Sequence, residues 1–118
     1  MFKEIIQTKS VEEIKILFSE KSEAVFFSEE EFRSVEKKNK IKSLGARYLI
    51  KNSILDYLAI ENNYKDIEIV NQSSGKPIIK FAGNVQGKLN ELNISNVQIS
   101  ISHSRNFISS IVILEQDV

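Results

Sequence analysis

The first third of the chain carries two short runs in which apolar residues recur at helical spacing. The run VEEIKILF follows Ser10, and Glu13 stands three residues after that serine. The run EEEFRSV follows Ser28 in the same way, with Glu31 three residues later. This serine–glutamate spacing is the capping box, which satisfies unpaired backbone amides where a helix begins. The sequence therefore predicts two helices, each starting directly after its serine.

A longer helical pattern runs from Ile41 to Ile60. Its repeating seam, spaced four, three, four and three residues apart, consists of Leu44, Tyr48, Lys51, Leu55 and Leu58. Lys51 interrupts this seam, and Arg47 lies one turn before it. Two like charges on adjacent turns weaken a helix slightly, so the pair suggests a bridging anion. The alternative is that both stems cover the core while their charged ends reach water.

The second half of the chain changes to the alternating pattern of strands. Asp66 to Phe81 alternates on both sides of the turn residues NQSSG and predicts a β-hairpin. Val97 to Ser102 and Ile108 to Leu114 predict a second hairpin, with apolar and polar residues alternating in its first strand. The second strand is apolar at nearly every position, which predicts burial on both of its faces.

Between the hairpins, the segment NVQGKLNELN shows helical spacing of its apolar residues, and Asn84 is its predicted cap. Helices thus precede most of the strands along the chain. This order predicts an α+β fold, in which N-terminal helices pack on an antiparallel sheet of β-hairpins. The length of 118 residues predicts one domain, residues 1–118.

Composition narrows the possible partners. Sixteen basic residues balance sixteen acidic ones, so no overall charge attracts nucleic acid or a membrane surface. The chain has no cysteine and no apolar run of the ~18 residues that a membrane span requires. We therefore expect a cytoplasmic protein that acts without nucleic acid or membrane, and any anion site must come from a local cluster of charge.

The only histidine of the chain, His103, lies at the predicted bend of the second hairpin. It follows Ser102 and precedes Ser104 and Arg105, so several hydrogen-bonding side chains surround it. A histidine at a turn is often only a surface residue. Whether His103 has more than this surface role depends on the rest of the sequence.

Four segments of the chain resemble one family, the holo-acyl-carrier-protein synthases, which are small 4'-phosphopantetheinyl transferases. SLGARYLIKNS (Ser43 to Ser53) is similar to the family's helix motif S-L-A-G-R-F-A-A-K-E-A. FFSEEEF resembles its V-F-T-x-x-E segment, and DIEIVNQSSGKP resembles its D-I-E-V…G-K-P hairpin. VQISISHSRNFISSIVILE is similar to the closing V-x-V-S-I-S-H-T segment and the strand after it. The resemblance covers Phe26 to Glu115 with ordinary spacing.

This resemblance implies an activity, partners and a set of site residues. The expected reaction transfers 4'-phosphopantetheine from coenzyme A to a serine of an acyl carrier protein, a step of fatty acid biosynthesis. The family also implies a homotrimer with clefts between subunits. The residues implied to bind coenzyme A are Arg47, Lys51, Gly75, Pro77, Ser102 and His103. The positions implied to be catalytic are Lys51 and Asn52.

The resemblance further implies Mg²⁺, held in the family by two carboxylates. At those two positions this chain has Lys9 and Asn52. An ammonium and an amide are poor replacements, because Mg²⁺ prefers carboxylate oxygens beside phosphate and water. Glu12 and Asp56 are the possible substitute ligands, and a Lys9–Asp56 ion pair is an alternative that replaces the metal.

These replacements leave two main functions open. The chain is either a divergent active transferase or a catalytically degenerate relative that binds a carrier protein or a nucleotide. A nucleotide binder that works without a carrier protein is a third possibility.

Overall fold

The computed structural model describes residues 1–35 and 37–117, and these form an α+β fold. The α-helices of this part occupy Val11–Glu20 (α1), Glu29–Ser34 (α2), Lys40–Leu58 (α3) and Gly83–Glu91 (α4). The strands occupy Phe2–Ser10 (β1), Ile67–Asn71 (β2), Pro77–Phe81 (β3), Ile94–His103 (β4) and Phe107–Gln116 (β5). The predicted fold class, helices packed on antiparallel strands, is confirmed. None of the helices in the described ranges combines the length and the apolar composition that crossing a membrane requires.

The strands form two antiparallel sheets rather than one. The larger sheet has the order β1-β5-β4, and β2 pairs with β3 in a separate two-stranded sheet. Both predicted hairpins are present. The prediction missed β1, which comes before the first helix and pairs with β5 from Phe2 to Ser10. Ile5 and Ile6 are adjacent in β1, and this departure from simple alternation concealed the strand.

Both predicted capping boxes are present. At the start of α1, the Glu13 amide donates to Ser10 Oγ over 3.0 Å, and the Ser10 amide donates to Glu13 Oε1 over 3.1 Å. At the start of α2, Ser28 and Glu31 exchange the same two bonds over 3.2 and 3.1 Å. These two helices therefore begin where the sequence predicts.

Helix α3 crosses the inner face of β5 and forms the centre of the core. The leucines of its predicted seam are buried, and on β5 the side chains of Ile108, Val112 and Leu114 are buried against it. A Cβ at Gly45 would lie 2.8 Å from Ile108 Cδ1, so the close approach of helix and strand favours glycine there. The other face of β5 is only partly covered in this single chain. Burial of β5 on both faces is thus not seen within one subunit.

Helix α4 begins differently from the prediction. Ala82, not Asn84, occupies the cap position, and it makes no side-chain cap bond. The Asp66 carboxylate takes that role from outside the helix, because its Oδ2 accepts from the Val85 amide over 3.4 Å. Gly83 has a φ of +53°, and a Cβ there would lie 2.8 Å from the Asp66 carboxylate. Because the capping carboxylate comes from Asp66, outside the helix, the residues of α4 do not show where the helix begins.

The C-terminal end of α3 provides a stability prediction. Ala59 ends the helix in the left-handed conformation, with φ 55° and ψ 42°, and the Ile60 amide returns to the Leu55 carbonyl over 3.0 Å. Glycine suits this position because a Cβ is disfavoured there. We expect Ala59→Gly to raise the free energy of unfolding by about 0.5–1 kcal/mol in urea denaturation. Ala24→Gly is the matched control, because Ala24 is exposed and is not among the residues with a positive φ. A loss of stability in both variants would contradict the prediction.

Candidate anion-binding cleft

A cleft of about 380 Å³ opens where the start of α3, the β2–β3 hairpin and β4 meet. On the helix side it is lined by Asn39 at the cap position of α3 and by Lys42, Ser43, Ala46 and Arg47 of α3. The hairpin contributes Asn71, Gly75 and Pro77, and β4 contributes Ile99, Ser100, Ile101 and His103. Positions 39, 42, 43 and 46 follow helical spacing, so one face of α3 and its cap residue form a wall of the cleft.

Four of the predicted coenzyme-binding residues come together in this cleft, although they are far apart in sequence. Arg47, Gly75, Pro77 and His103 all line it. Gly75 has a φ of +88°, and a Cβ there would meet nothing within 4 Å, so the turn requires glycine for its backbone rather than for space. Ser102 is exposed on β4, opposite Ser109, and lies outside the cleft lining.

Arg47 is buried and ties three elements together. Its Nε donates to the Ile69 carbonyl over 2.9 Å, and Nη1 donates to the Ser43 carbonyl over 3.2 Å. Its Nη2 donates to Ser34 Oγ over 3.4 Å and to Asn71 Oδ1 over 3.3 Å. Burial lowers the pKa of the Arg47 guanidinium, and the nearby Glu31 carboxylate opposes this shift. The side chain therefore joins α3 to β2 and to the end of α2.

Lys51 is fully buried, with no exposed surface. Its Nζ donates to Glu31 Oε1 over 2.6 Å and to the Phe26 carbonyl over 2.7 Å. The other carboxylate oxygen of Glu31 accepts from the Ile69 amide over 3.1 Å. Burial lowers the pKa of the Lys51 ammonium, and the Glu31 carboxylate opposes this shift. The same glutamate that caps α2 thus neutralises a lysine of α3 and holds β2.

Neither sequence interpretation of Lys51 fits its position. The ammonium does not reach water, and its protein partners enclose it, so direct contact with a ligand phosphate is not available in this conformation. The implied catalytic role of Lys51 stays a prediction, and in this conformation its ammonium holds α3 to Glu31 and Phe26. Its neighbour Asn52 is half-buried on α3 and is not part of the cleft lining. Sequence alone could not show that Glu31, twenty residues away, is the partner of Lys51.

The residues implied for a metal do not fit Mg²⁺. Lys9 Nζ lies 3.5 Å from Glu13 Oε2, so the alternative Lys9–Asp56 pair is wrong. Glu12 and Asp56 are both exposed. Within residues 1–35 and 37–117, no three His, Cys, Asp or Glu side chains lie together as a metal site.

Sequence reasoning missed several residues of the cleft, among them Lys42, Ser43 and Asn71. The spacing of Lys42 and Ser43 relative to Ala46 was visible in the sequence. The sequence did not show that this face of α3 lines a cleft beside the β2–β3 hairpin. Asn71 could not be found from its own segment, because its role depends on Arg47 and Ser34.

Solved structures with this architecture give the structural class of the chain. The crystal structure of Helicobacter pylori holo-acyl-carrier-protein synthase in complex with coenzyme A matches 96% of this chain and 100% of that chain, with a TM-score of 0.77 and 22% identity. The Chronobacterium ammoniagenes synthase–coenzyme A complex matches 100% of this chain and 99% of that chain, with a TM-score of 0.81 and 17% identity. The chain has the fold of the holo-acyl-carrier-protein synthases.

Sequence relatives identify the family. The holo-acyl-carrier-protein synthase of Clostridium tetani is 31% identical over 106 residues, which cover 86% of this chain and 81% of the relative. The synthase of Alkaliphilus metalliredigens is 35% identical over 86 residues, 70% of each chain. No protein-family model matches the chain. The chain belongs to the holo-acyl-carrier-protein synthase family.

Proposed function

We propose that this protein transfers 4'-phosphopantetheine from coenzyme A to a serine of an acyl carrier protein, in the cytoplasm and in the service of fatty acid biosynthesis. The observation that carries the proposal is the cleft, which gathers Arg47, Gly75, Pro77 and His103 from three separate elements. The cleft lies between helix α3, the β2–β3 hairpin and strand β4, so these three elements can enclose one side of an elongated anionic ligand. Family membership supports both the reaction and the two substrates.

In the proposed reaction, the serine oxygen of the carrier attacks the coenzyme phosphorus that bears the pantetheine arm. A new P–O bond forms, the phosphoanhydride bond breaks, the serine gives up its proton, and adenosine 3',5'-bisphosphate leaves. His103, exposed at the cleft, and the remaining Nη1 N–H of Arg47 are proposed to donate to phosphate oxygens. Arg47 also fixes the hairpin that carries Gly75 and Pro77, because it holds β2 at Ile69 and Asn71.

The second candidate is a degenerate family member that binds coenzyme or carrier without transfer. The observation that favours it is that Lys9 and Asn52 replace both of the implied ligand carboxylates. Charge stabilisation matters greatly in transfer of phosphorus groups, so loss of a metal weakens catalysis unless protein cations replace it.

Release of the nucleotide product separates the two candidates. The protein is incubated with coenzyme A and an apo carrier protein, and adenosine 3',5'-bisphosphate is measured by chromatography. The transferase produces it only when carrier is present, and a carrier whose acceptor serine is replaced by alanine gives none. Binding of coenzyme A without any product in the complete mixture would identify the degenerate binder instead.

The metal positions give a prediction about Mg²⁺. The affinity of the protein for coenzyme A, measured by calorimetry, should be nearly the same in Mg²⁺ and in EDTA. The reason is that Lys9 repels the ion and Asn52 offers only an amide oxygen. The double variant Lys9→Asp/Asn52→Glu restores two carboxylates and should bind coenzyme more tightly when Mg²⁺ is present. Its thermal unfolding must be recorded too, because Lys9→Asp places a carboxylate beside Glu13. A strong Mg²⁺ effect in the wild type would contradict the prediction.

The outer face of the large sheet is the surface we propose for subunit assembly. This outer face comprises the side of β1 and β5 turned away from α3. On it Phe2, Ile6 and Phe107 are 69%, 59% and 53% exposed, and Ile6 pairs with Ile111. Exposed apolar surface of this kind marks an interface. We propose a homotrimer, the number following from the family resemblance.

Light scattering tests this assembly. The wild type should have the mass of a trimer at micromolar concentration, and Ile6→Lys should lower it by placing a charge in the interface. Ile16→Lys is the matched control, because Ile16 is 51% exposed but lies on α1. A monomeric wild type, or equal dissociation of both variants, would count against this interface.

A further inference from the structure

Lys42 is a cation of the cleft that the family motifs do not mark. It lies in the first turn of α3, is half-buried and lines the cleft beside Ser43. Within residues 1–35 and 37–117, its ammonium forms none of the ion pairs of the fold. A lysine ammonium has three N–H donors and no acceptor, and in the described part of the chain no protein acceptor is recorded for these donors.

The two cations that the motif does mark are committed to protein groups. Four of the five N–H donors of Arg47 engage Ile69, Ser43, Ser34 and Asn71. The Lys51 ammonium is enclosed by its partners and has no exposed surface. Hydrogen-bond donors already satisfied inside the protein contribute little to a ligand. The positive charge free to meet an anion in this cleft must come mainly from elsewhere.

We propose that Lys42, rather than Arg47 or Lys51, makes the main charged contact between this cleft and a phosphate of coenzyme A. The inference rests on the proposed function, because it takes coenzyme A as the ligand. A phosphate monoester and the diphosphate bridge both carry the negative charge and the acceptor oxygens that an ammonium binds.

The geometry of the cleft supports this assignment. Lys42 and Ala46 are four residues apart and lie on the same face of α3, so the lysine stands one turn above a small side chain. Ala46 leaves space for a ligand at that level. His103 lies on β4 and lines the same cleft. A phosphate held between helix and strand therefore receives donors from two elements, with Lys42 supplying the permanent charge.

Calorimetric titration of the wild type and three variants with coenzyme A tests the proposal. Lys42→Met should weaken binding about tenfold or more, as expected for loss of a charged hydrogen bond. Lys42→Arg keeps the charge and should retain most of the affinity. Lys38→Met is the matched control, because Lys38 is exposed just before α3 and is not part of the cleft lining. It removes the same charge and should leave affinity nearly unchanged.

Repeating the titration with 3'-dephospho-coenzyme A identifies which phosphate Lys42 contacts. If the loss caused by Lys42→Met disappears with this analogue, the contact is to the monoester; if the loss persists, it is to the diphosphate. Either result supports the proposal. If the wild type binds coenzyme A and Lys42→Met binds equally well, the Lys42 assignment is wrong while the proposed function stands. If the folded wild type binds no coenzyme A, both are overturned.

Discussion

Glu31→Ala should destabilise the protein by about 3–5 kcal/mol in chemical denaturation, because it leaves a charged lysine buried without its counter-ion. Lys51 would keep only the Phe26 carbonyl as a partner, and the Ile69 amide would lose its acceptor. The cap of α2 would also lose its reciprocal bond from Ser28. The Glu31 side chain thus forms hydrogen bonds with groups of three segments: Ser28 at the cap of α2, Lys51 of α3 and Ile69 of β2.

Glu30→Ala is the matched control for this variant. Glu30 is the preceding residue of α2, but it is exposed and pairs with Arg33 on the surface. Exposed ion pairs contribute about 0–1 kcal/mol, so the control should change stability little. A double variant, Glu31→Leu/Lys51→Met, should recover part of the loss, because apolar residues of similar volume often replace a buried pair at small cost. Equal losses for Glu31→Ala and Glu30→Ala would contradict the buried network.

The double variant also separates positioning from ligand contact. If Lys51 only fixes the elements around the cleft, the refolded double variant should bind coenzyme A almost as tightly as the wild type. If the Lys51 ammonium contacts a phosphate, affinity should be lost in this variant even where stability is recovered. That result would restore the direct role implied by the family resemblance.

Arg47→Ala should have the second largest effect, and it should appear in both stability and binding. The variant leaves the Ile69 carbonyl without its donor and removes the bond to Asn71 Oδ1, so that Asn71 is then held by its bonds to Ser34. We expect a loss of about 2–3 kcal/mol in the free energy of unfolding, as for hydrogen bonds from a charged group. Coenzyme affinity should fall as well, because β2 leads into the hairpin that carries Gly75 and Pro77.

Two variants sharpen the Arg47 prediction. Arg33→Ala removes an exposed arginine of α2 and should change neither property by much. Arg47→Lys keeps the charge but loses the planar fork, so it should not restore the bonds to Ile69 and Asn71 together. If Arg47→Ala weakened binding while stability remained unchanged, Arg47 would be a direct ligand and not mainly a tether.

Local signals in the sequence were sufficient for most of the helices. Ser10 and Ser28 each have a glutamate three residues later, and both helices begin there because the capping box is a short-range device. The long helix was predicted from Ile41 to Ile60 and is observed at Lys40–Leu58. The helix ends earlier than predicted because Ala59 adopts the left-handed conformation. Glycine is the usual residue in that conformation, so the alanine gave no signal of the helix end.

Long-range contacts account for what the sequence could not predict. Strand β1 is defined by its pairing with β5 about a hundred residues later, and its own residues alternate only weakly. The start of α4 depends on Asp66, which lies outside the helix. At the site, the motif marked Arg47 and His103, and both residues line the cleft. It did not reveal that Glu31 neutralises Lys51, because that pair forms only when α2 packs against α3.

The intact mass of a carrier protein is the most direct test of the proposed transfer. An apo acyl carrier protein is incubated with coenzyme A and the wild-type protein, and in parallel with His103→Ala, whose exposed side chain can be removed without disturbing the core. The wild type should add one 4'-phosphopantetheine group to the carrier, and His103→Ala should add it more slowly. A carrier of unchanged mass, after incubation with folded wild-type protein that binds coenzyme A, would contradict the proposed transferase activity.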